Sequence, residues 1–274
     1  MDYAENSVNT TFASAHGMKN IHLINNNCTT ALGCGGTASG IEVGTTNAGD
    51  SNAEYNNVAL SGFNIGYRNL GTQNHFGVVF INPQIFFKGI GFQVHQVGPI
   101  SIFGGSCVSN NKVIAMAFTD SIPNIVATAM DCFNNTLIVD ATNFTTNAGN
   151  FECDACHFEA SNQNQGLFIT GKVSVILKGG VAELDGGVGT LATMFNVSGE
   201  NFFADKMTFS SPIVITNLLT AGSPVEGTIG GFIRNPTNIA APFVTGTNAA
   251  KIYTNFISWG ATTPTPWVLA KLSA

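Results

Sequence analysis

The chain has 274 residues, enough for one large domain with a substantial core. Ten Lys and Arg stand against 16 Asp and Glu, a net charge of −6, and charged residues make up only 9% of the chain against 44% hydrophobic. That balance excludes the basic stripe of a nucleic-acid binder, the solvated faces of surface helices and a disordered chain, while 31 Gly, 31 Asn and 21 Phe point to β structure with many tight turns.

The opening, Met1 to Asn6, carries neither the basic nor the apolar region of a signal peptide. The longest apolar runs, such as Gly77 to Ile81, fall far short of a membrane span, so a soluble chain without membrane insertion is expected. Residues 1–50 are rich in Asn, Thr and Gly and read as an irregular N-terminal coil or cap, with Asn20 to Asn25 as an early copy of the unit that follows. Residues 51–260 carry a repeat. Leu60-Ser61-Gly62-Phe63-Asn64-Ile65 and Phe87-Lys88-Gly89-Ile90-Gly91-Phe92 are alike, 27 residues apart. Cys107, Cys132 and Cys156 follow at steps of 25 and 24, and the same step reaches Val181 or Ala182, Met207, Ile233 and Ile257.

Two further columns run in step with the cysteines. Five residues earlier stand Ile102, Ala127, Phe151, Ile176, Phe202, Thr228 and Ile252. Two residues earlier stand Gly105, Met130, Asp154, Gly179, Asp205, Gly231 and Asn255, mostly types that tolerate positive φ; beside Met130, Asp131 takes that role. Such a unit cannot bury its apolar residues alone but closes a core when stacked on its neighbours. The expected fold is all-β, a right-handed single-stranded parallel β-helix with coils of about 25 residues. The leucine-rich-repeat consensus is absent. Residues 261–274, with Pro264, Pro266 and Trp267, read as an extended C-terminal arm.

Of the six cysteines, 107, 132 and 156 are expected to stack inward as free thiols, because parallel neighbours about 4.8 Å apart are too widely set for a disulfide. That suits folding in a reducing compartment. Cys28 and Cys34 are a candidate pair. Cys153-Asp154-Ala155-Cys156 lacks the second C-x-x-C of a zinc site, and His75 and His95 have no partner at ligand spacing, so neither a metal nor a cofactor is expected.

The phrases Asn57-Val58-Ala59-Leu60-Ser61-Gly62-Phe63-Asn64-Ile65-Gly66 and Gly40-Ile41-Glu42-Val43-Gly44, together with the coil pattern over residues 20–260, resemble the pectin-lyase-like β-helix superfamily. Within it they are most similar to bacteriophage tailspikes and tail adhesins. The resemblance implies a homotrimer on a virion tail or in the extracellular space, contacting other tail proteins and a cell-surface glycan of a bacterium. The scarcity of surface charge agrees with a partnered outer face. The active-site patterns of pectate lyases and polygalacturonases are not found, so glycoside hydrolase or polysaccharide lyase activity stays open beside a purely structural or adhesive role.

Glycoside hydrolysis needs two carboxyl groups, and stacked coils can supply them. Around Cys156, His157 and Glu159 alternate with inward residues and face out. Taking Ala182 and Leu184 as inward puts Glu183 and Asp185 on the same outer face, stacking His157 on Glu183 and Glu159 on Asp185. Glu159, Glu183 and Asp185 are therefore the candidate catalytic acids, with Glu152 nearby, while Asp154 and Asp205 are assigned to bends. His157, Tyr253 and Trp259 are candidate substrate contacts, and Tyr55, Tyr67 and Trp267 are further aromatic platforms.

Overall fold

The computed structural model describes residues 16–25, 39–43, 52–69, 77–95, 99–109, 114–120, 124–133, 137–142, 149–160, 169–171, 173–184, 195–197, 201–209, 213–216, 226–234, 244–247 and 251–259. Nearly all of them are strand, and every strand pairing is parallel, from His16–Ile24 on Ala53–Asn69 to Glu226–Arg234 on Lys251–Trp259. Parallel strands that return to the same line every coil form a β-solenoid. A representative coil runs Asn124–Thr128, Asp131–Phe133 and Leu137–Ala141, and the next runs Gly149–Asp154, His157–Ala160 and Ile169–Gly171 directly against it. These are the first, second and third faces. The expected coil of about 25 residues is therefore present, and Asn20 to Asn25 do belong to a coil stacked on residues 53–61.

Alternation within each strand builds the core. Strand Asn124–Thr128 buries Ile125 and Ala127, and strand Gly149–Asp154 buries Phe151 and Cys153, with their neighbours facing out. On the first face the inner file runs Tyr55, Phe80, Ile102, Ala127, Cys153, Leu177 and Ala204. On the second it runs Leu60, Ile85, Cys107, Cys132, Phe158 and Ala182. Cys107 and Cys132 are thus stacked as expected, but the third step of the file is Phe158, not Cys156. The αL residues of successive corners, Ala129 and Ala155, are 26 residues apart, so a fixed step slips there. For the same reason Phe151 and Ile176 leave the column assigned to them. Cys153 takes the place of Phe151, and Ile176 faces outward where Leu177 is buried. In a strand a one-residue slip exchanges inside for outside.

The corner between the first and second faces explains Cys156. The same place adopts positive φ in each described coil from Asn20 to Lys206, at Asn20, Asn57, Asn82, Gly104, Ala129, Ala155, Gly179 and Lys206, and Gly105 and Gly180 add a second positive φ next to it in their coils. Asp154 and Asp205 stand one residue before that place, correcting the bend assignment, and Ala129 rather than Asp131 makes the turn beside Met130. Backbone hydrogen bonds continue around the corner. Ala129 N–H donates to the Asp154 carbonyl of the next coil, and His157 N–H donates back to the Met130 carbonyl, so no polar group is lost at the turn. The αL turn points the residues on either side of it inward together. Cys153 and Cys156 flank it with Cα atoms 5.9 Å apart and form a disulfide, within the usual range for one. The expectation of a free Cys156 is therefore overturned: the geometry that forbids a disulfide between coils permits one across a corner. Cys107 and Cys132 remain buried thiols. Burial first, and then the hydrogen bond and charge of Cys132, push the Cys107 thiol well up, which suits a packing residue rather than a nucleophile. Cys28, Cys34 and His75 lie outside the described residues, as does the 261–274 arm.

Amides support the outside of the same corner. Asn57 Nδ2 donates to Asn20 Oδ1 at 3.0 Å, and Asn82 Nδ2 donates to Asn57 Oδ1 at 2.9 Å. Asn tolerates αL, and stacking lets each amide serve both its neighbours, so the abundance of Asn has a structural use here. Tyr55 and Tyr67 are not surface platforms. They are 1% and 0% exposed and pack with Phe80 and Phe92 in the interior.

Candidate functional site

The outer side of the second face carries two files of side chains. Nearest the corner the register runs His22, Ala59, Gln84, Ser106, Asp131, His157, Val181 and Thr208. Two residues further along each strand stand Ile24, Ser61, Phe86, Val108 and Phe133, of which Val108 is buried. Continuing the Cys132–Phe158 step places Glu159 over Phe133, and Glu159 is in turn paired with Glu183.

This register corrects the expected stacking. His157 lies beside Val181 rather than Glu183, and Glu159 beside Glu183 rather than Asp185. Ala182 is inward, as expected, so the error is one of register along the strand and not of face. Glu159 and Glu183 are brought together at adjacent-strand spacing, about 4.8 Å between Cα atoms. Asp185 lies outside the described residues.

The partner of His157 comes from the coil before. Its Nδ1 is 2.9 Å from Asp131 Oδ1, and both side chains keep a large part of their surface, 36% and 46% exposed. An ionised carboxylate only accepts, so this contact fixes the proton on Nδ1 and makes Nε2 the basic nitrogen. Further down the file, Ser106 Oγ donates to Gln84 Oε1 at 2.6 Å, and Gln84 Nε2 donates to Asn82 Oδ1 at 3.2 Å. An amide, a hydroxyl, a carboxylate and an imidazole thus line one side of the face. Phe86, 40% exposed, and the partly exposed Phe133 line the other.

Asp131, Ser106, Gln84, Phe86 and Phe133 were not among the expected site residues. The signal was available: Asp131 and Phe133 flank Cys132, whose inward placement the cysteine spacing already indicates, so strand alternation turns both outward. Beside Met130, however, Asp131 also reads as a bend residue.

Glu152 lies on the first face, not in this group. It is ion-paired with Lys178 of the next coil, and Asp154 and Asp205 flank Lys178 in register. The hydrogen bond and charge of Glu152 raise the Lys178 titration above its ordinary value, with a smaller push from Asp154. A raised ammonium pKa contributes at neutral pH and is lost as pH climbs through the Lys178 titration. Glu152→Gln is expected to bring that titration down toward the ordinary lysine range when Nζ is followed by NMR against pH.

Tyr253 and Trp259 lie on the strand Lys251–Trp259, in register with Thr228 and Arg234, several coils from His157 and Glu159. They are not brought to the acid–imidazole group. Trp267 lies outside the described residues. Among the described residues, no group of three or more His, Cys, Asp or Glu is placed to hold a metal ion. No family model, curated protein or solved structure matches the chain.

Proposed function

We propose that the chain is a tailspike-like adhesin that binds polysaccharide on a bacterial surface, with the outer side of the second face as the glycan track. The observation that carries this reading is the pair of files on that face. Gln84, Ser106, Asp131 and His157 offer polar partners for sugar hydroxyls, directly beside Phe86 and Phe133, on which the apolar face of a pyranose can rest. The coil repeat sets the layers about 4.8 Å apart, so Phe86 and Phe133, two layers apart with buried Val108 between them, can carry alternate rather than consecutive sugar units.

The same face holds the candidates for depolymerisation. Glu159 and Glu183 stand one strand spacing apart, and Glu159 and Asp131 lie on a diagonal with about 8 Å between Cα atoms. Acids on neighbouring strands of one face are the kind of pair that either a retaining or an inverting glycosidase uses, the outcome being set by the distance between the carboxyl groups. Asp131 holds His157 in one tautomer, which suits a general base for a lyase step equally well. The alternative is a binding or structural β-solenoid without cleavage. It is favoured by the pairing of Asp131 with His157 and of Glu152 with Lys178, as on ordinary solvated strand surfaces. A homotrimer, contacts with other virion tail proteins and a location on the tail or outside the cell belong to the same proposal.

The test is incubation with capsular polysaccharides and lipopolysaccharide glycans, following binding and the appearance of new reducing ends or unsaturated products. Retention of a glycan with loss of binding in Phe86→Ala supports the track. Cleavage that falls by about 100-fold or more in Glu159→Gln, with binding kept, supports the acid assignment. Full activity in that variant removes it, and binding without products leaves the adhesive reading. Light scattering at micromolar concentration is expected to give three chains; a monomer overturns the trimer.

A further inference from the structure

A second chemical grouping stands on the same face near the first coils, away from Asp131 and His157. His22 Nε2 is 2.8 Å from Ser61 Oγ, the two residues coming from successive coils, 39 positions apart in the chain. His22 is exposed and Ser61 is partly exposed. Ser61 is held from two sides. Its carbonyl accepts the Asn25 N–H at 2.9 Å, and its strand is in register with Ile24 on one flank and Phe86 on the other. The register is irregular immediately after it, between Ser61 and Phe63, where Gly62 takes a φ of 79°. A bulge of this kind re-aims the side chain beside it.

The surroundings fit a particular substrate. Ile24 is 56% and Phe86 is 40% exposed, and they lie directly on either side of Ser61. Two uncovered apolar side chains flanking a hydroxyl that is hydrogen-bonded to an imidazole make a seat for a short acyl group, with its carbonyl carbon over Oγ.

We propose that Ser61 and His22 are a nucleophile–base pair that hydrolyses carboxylic esters of short acyl groups. His22 Nε2 takes the Oγ proton as Oγ bonds to the carbonyl carbon. The tetrahedral adduct collapses by breaking the bond to the alkoxy oxygen, and the alcohol leaves with the proton from His22. Water then attacks the acyl-Ser61 ester, giving one proton to His22, and the Ser61–acyl bond breaks as that proton returns to Oγ. The net change is ester plus water to acid plus alcohol, with no oxidant or reductant. The site shares Phe86 with the proposed glycan track, but its chemistry does not rest on that reading, since no residue of the Asp131–His157 group takes part.

The experiment uses the whole chain with two probes, p-nitrophenyl acetate and an alkyl fluorophosphonate, read by intact mass and by peptide mapping of the adduct. The expected result is one adduct per chain, on Ser61, absent from Ser61→Ala. His22→Gln keeps a side chain that can hydrogen-bond to Ser61 but removes the base, and it is expected to slow labelling about 100-fold. A merely structural hydrogen bond would be spared by that change. Failure of Ser61 to label, or labelling of His22→Gln at the wild-type rate, overturns the assignment whatever the glycan experiments show.

Discussion

Phe80→Ala is expected to lower the free energy of unfolding by about 3–5 kcal/mol, the range for removing a large aromatic from a core that cannot close around the gap. Phe80 is 1% exposed. Its ring stacks on Tyr55 with centroids 4.8 Å apart, and it meets Tyr67 and Phe92 edge-on at 4.9 and 5.2 Å. Four aromatic rings from two successive coils therefore share one contact group, and Phe80 touches the other three. The usual relief for such a deletion is inward movement of the neighbours. Here the layers are held at hydrogen-bonding distance by ladders on each face, and Phe80 itself is paired with Tyr55 below and Ile102 above. The walls cannot approach without breaking those ladders, so the cavity remains. Because each coil contacts only its neighbours, the first coils should also uncouple from the rest. Urea unfolding should then show a lower midpoint and a shallower or split transition. A loss under about 1 kcal/mol would mean the solenoid interior collapses as readily as a loosely packed core.

The architecture was legible because it rests on what repeats. The step from Cys107 to Cys132 sets the coil length, and outward Asp131 and His157 follow from the alternation around Cys132 and Phe158. What the residues did not reveal was where each coil is a residue longer or shorter, since additions fall at loops and leave no mark on strand alternation. The corner shows this best. Composition pointed to Gly, Asp and Asn as the turning residues, yet Ala129, Ala155 and Lys206 adopt positive φ at about 1–2 kcal/mol each. Tertiary pairing overrides that local cost: Gly104, Ala129, Ala155 and Gly179 each donate the backbone N–H into the coil above. The site suffered in the same way. A two-residue offset between neighbouring strands separates a Glu159–Asp185 stack from the Glu159–Glu183 pair that forms, and no feature of either strand alone fixes that offset. Tyr55 and Tyr67 were offered as surface platforms because tyrosine is as common at surfaces as in interiors, and only their register with Phe80 and Phe92 places them inside.

The corner also supplies the sharpest contrast between neighbouring residues. Gly104→Ala is expected to cost only about 1–2 kcal/mol, the αL penalty alone. Its φ is 65°, a Cβ there would meet nothing within 4 Å, and Ala129 and Ala155 already occupy the equivalent place in the next two coils at 52° and 54°. Gly105→Ala is expected to cost about 4 kcal/mol or more. Its φ is 81°, and the new Cβ would be driven into Pro83 of the coil beneath, 2.6 Å from its nitrogen and closer still to its carbonyl oxygen. Those are backbone and ring atoms, so no rotamer change relieves the overlap. The coil would have to lift, breaking the Ser106 N–H bond to the Pro83 carbonyl. The reason glycine is needed here lies in the coil beneath. Gly180, further along the solenoid, is in the same position: its φ is 92°, and a Cβ there would meet the Cys156 backbone of the coil beneath, closest to its carbonyl oxygen. A comparison of urea midpoints for the two alanine variants checks this directly, and equal midpoints would show that the corner is governed by φ alone and not by the approach of the coil below.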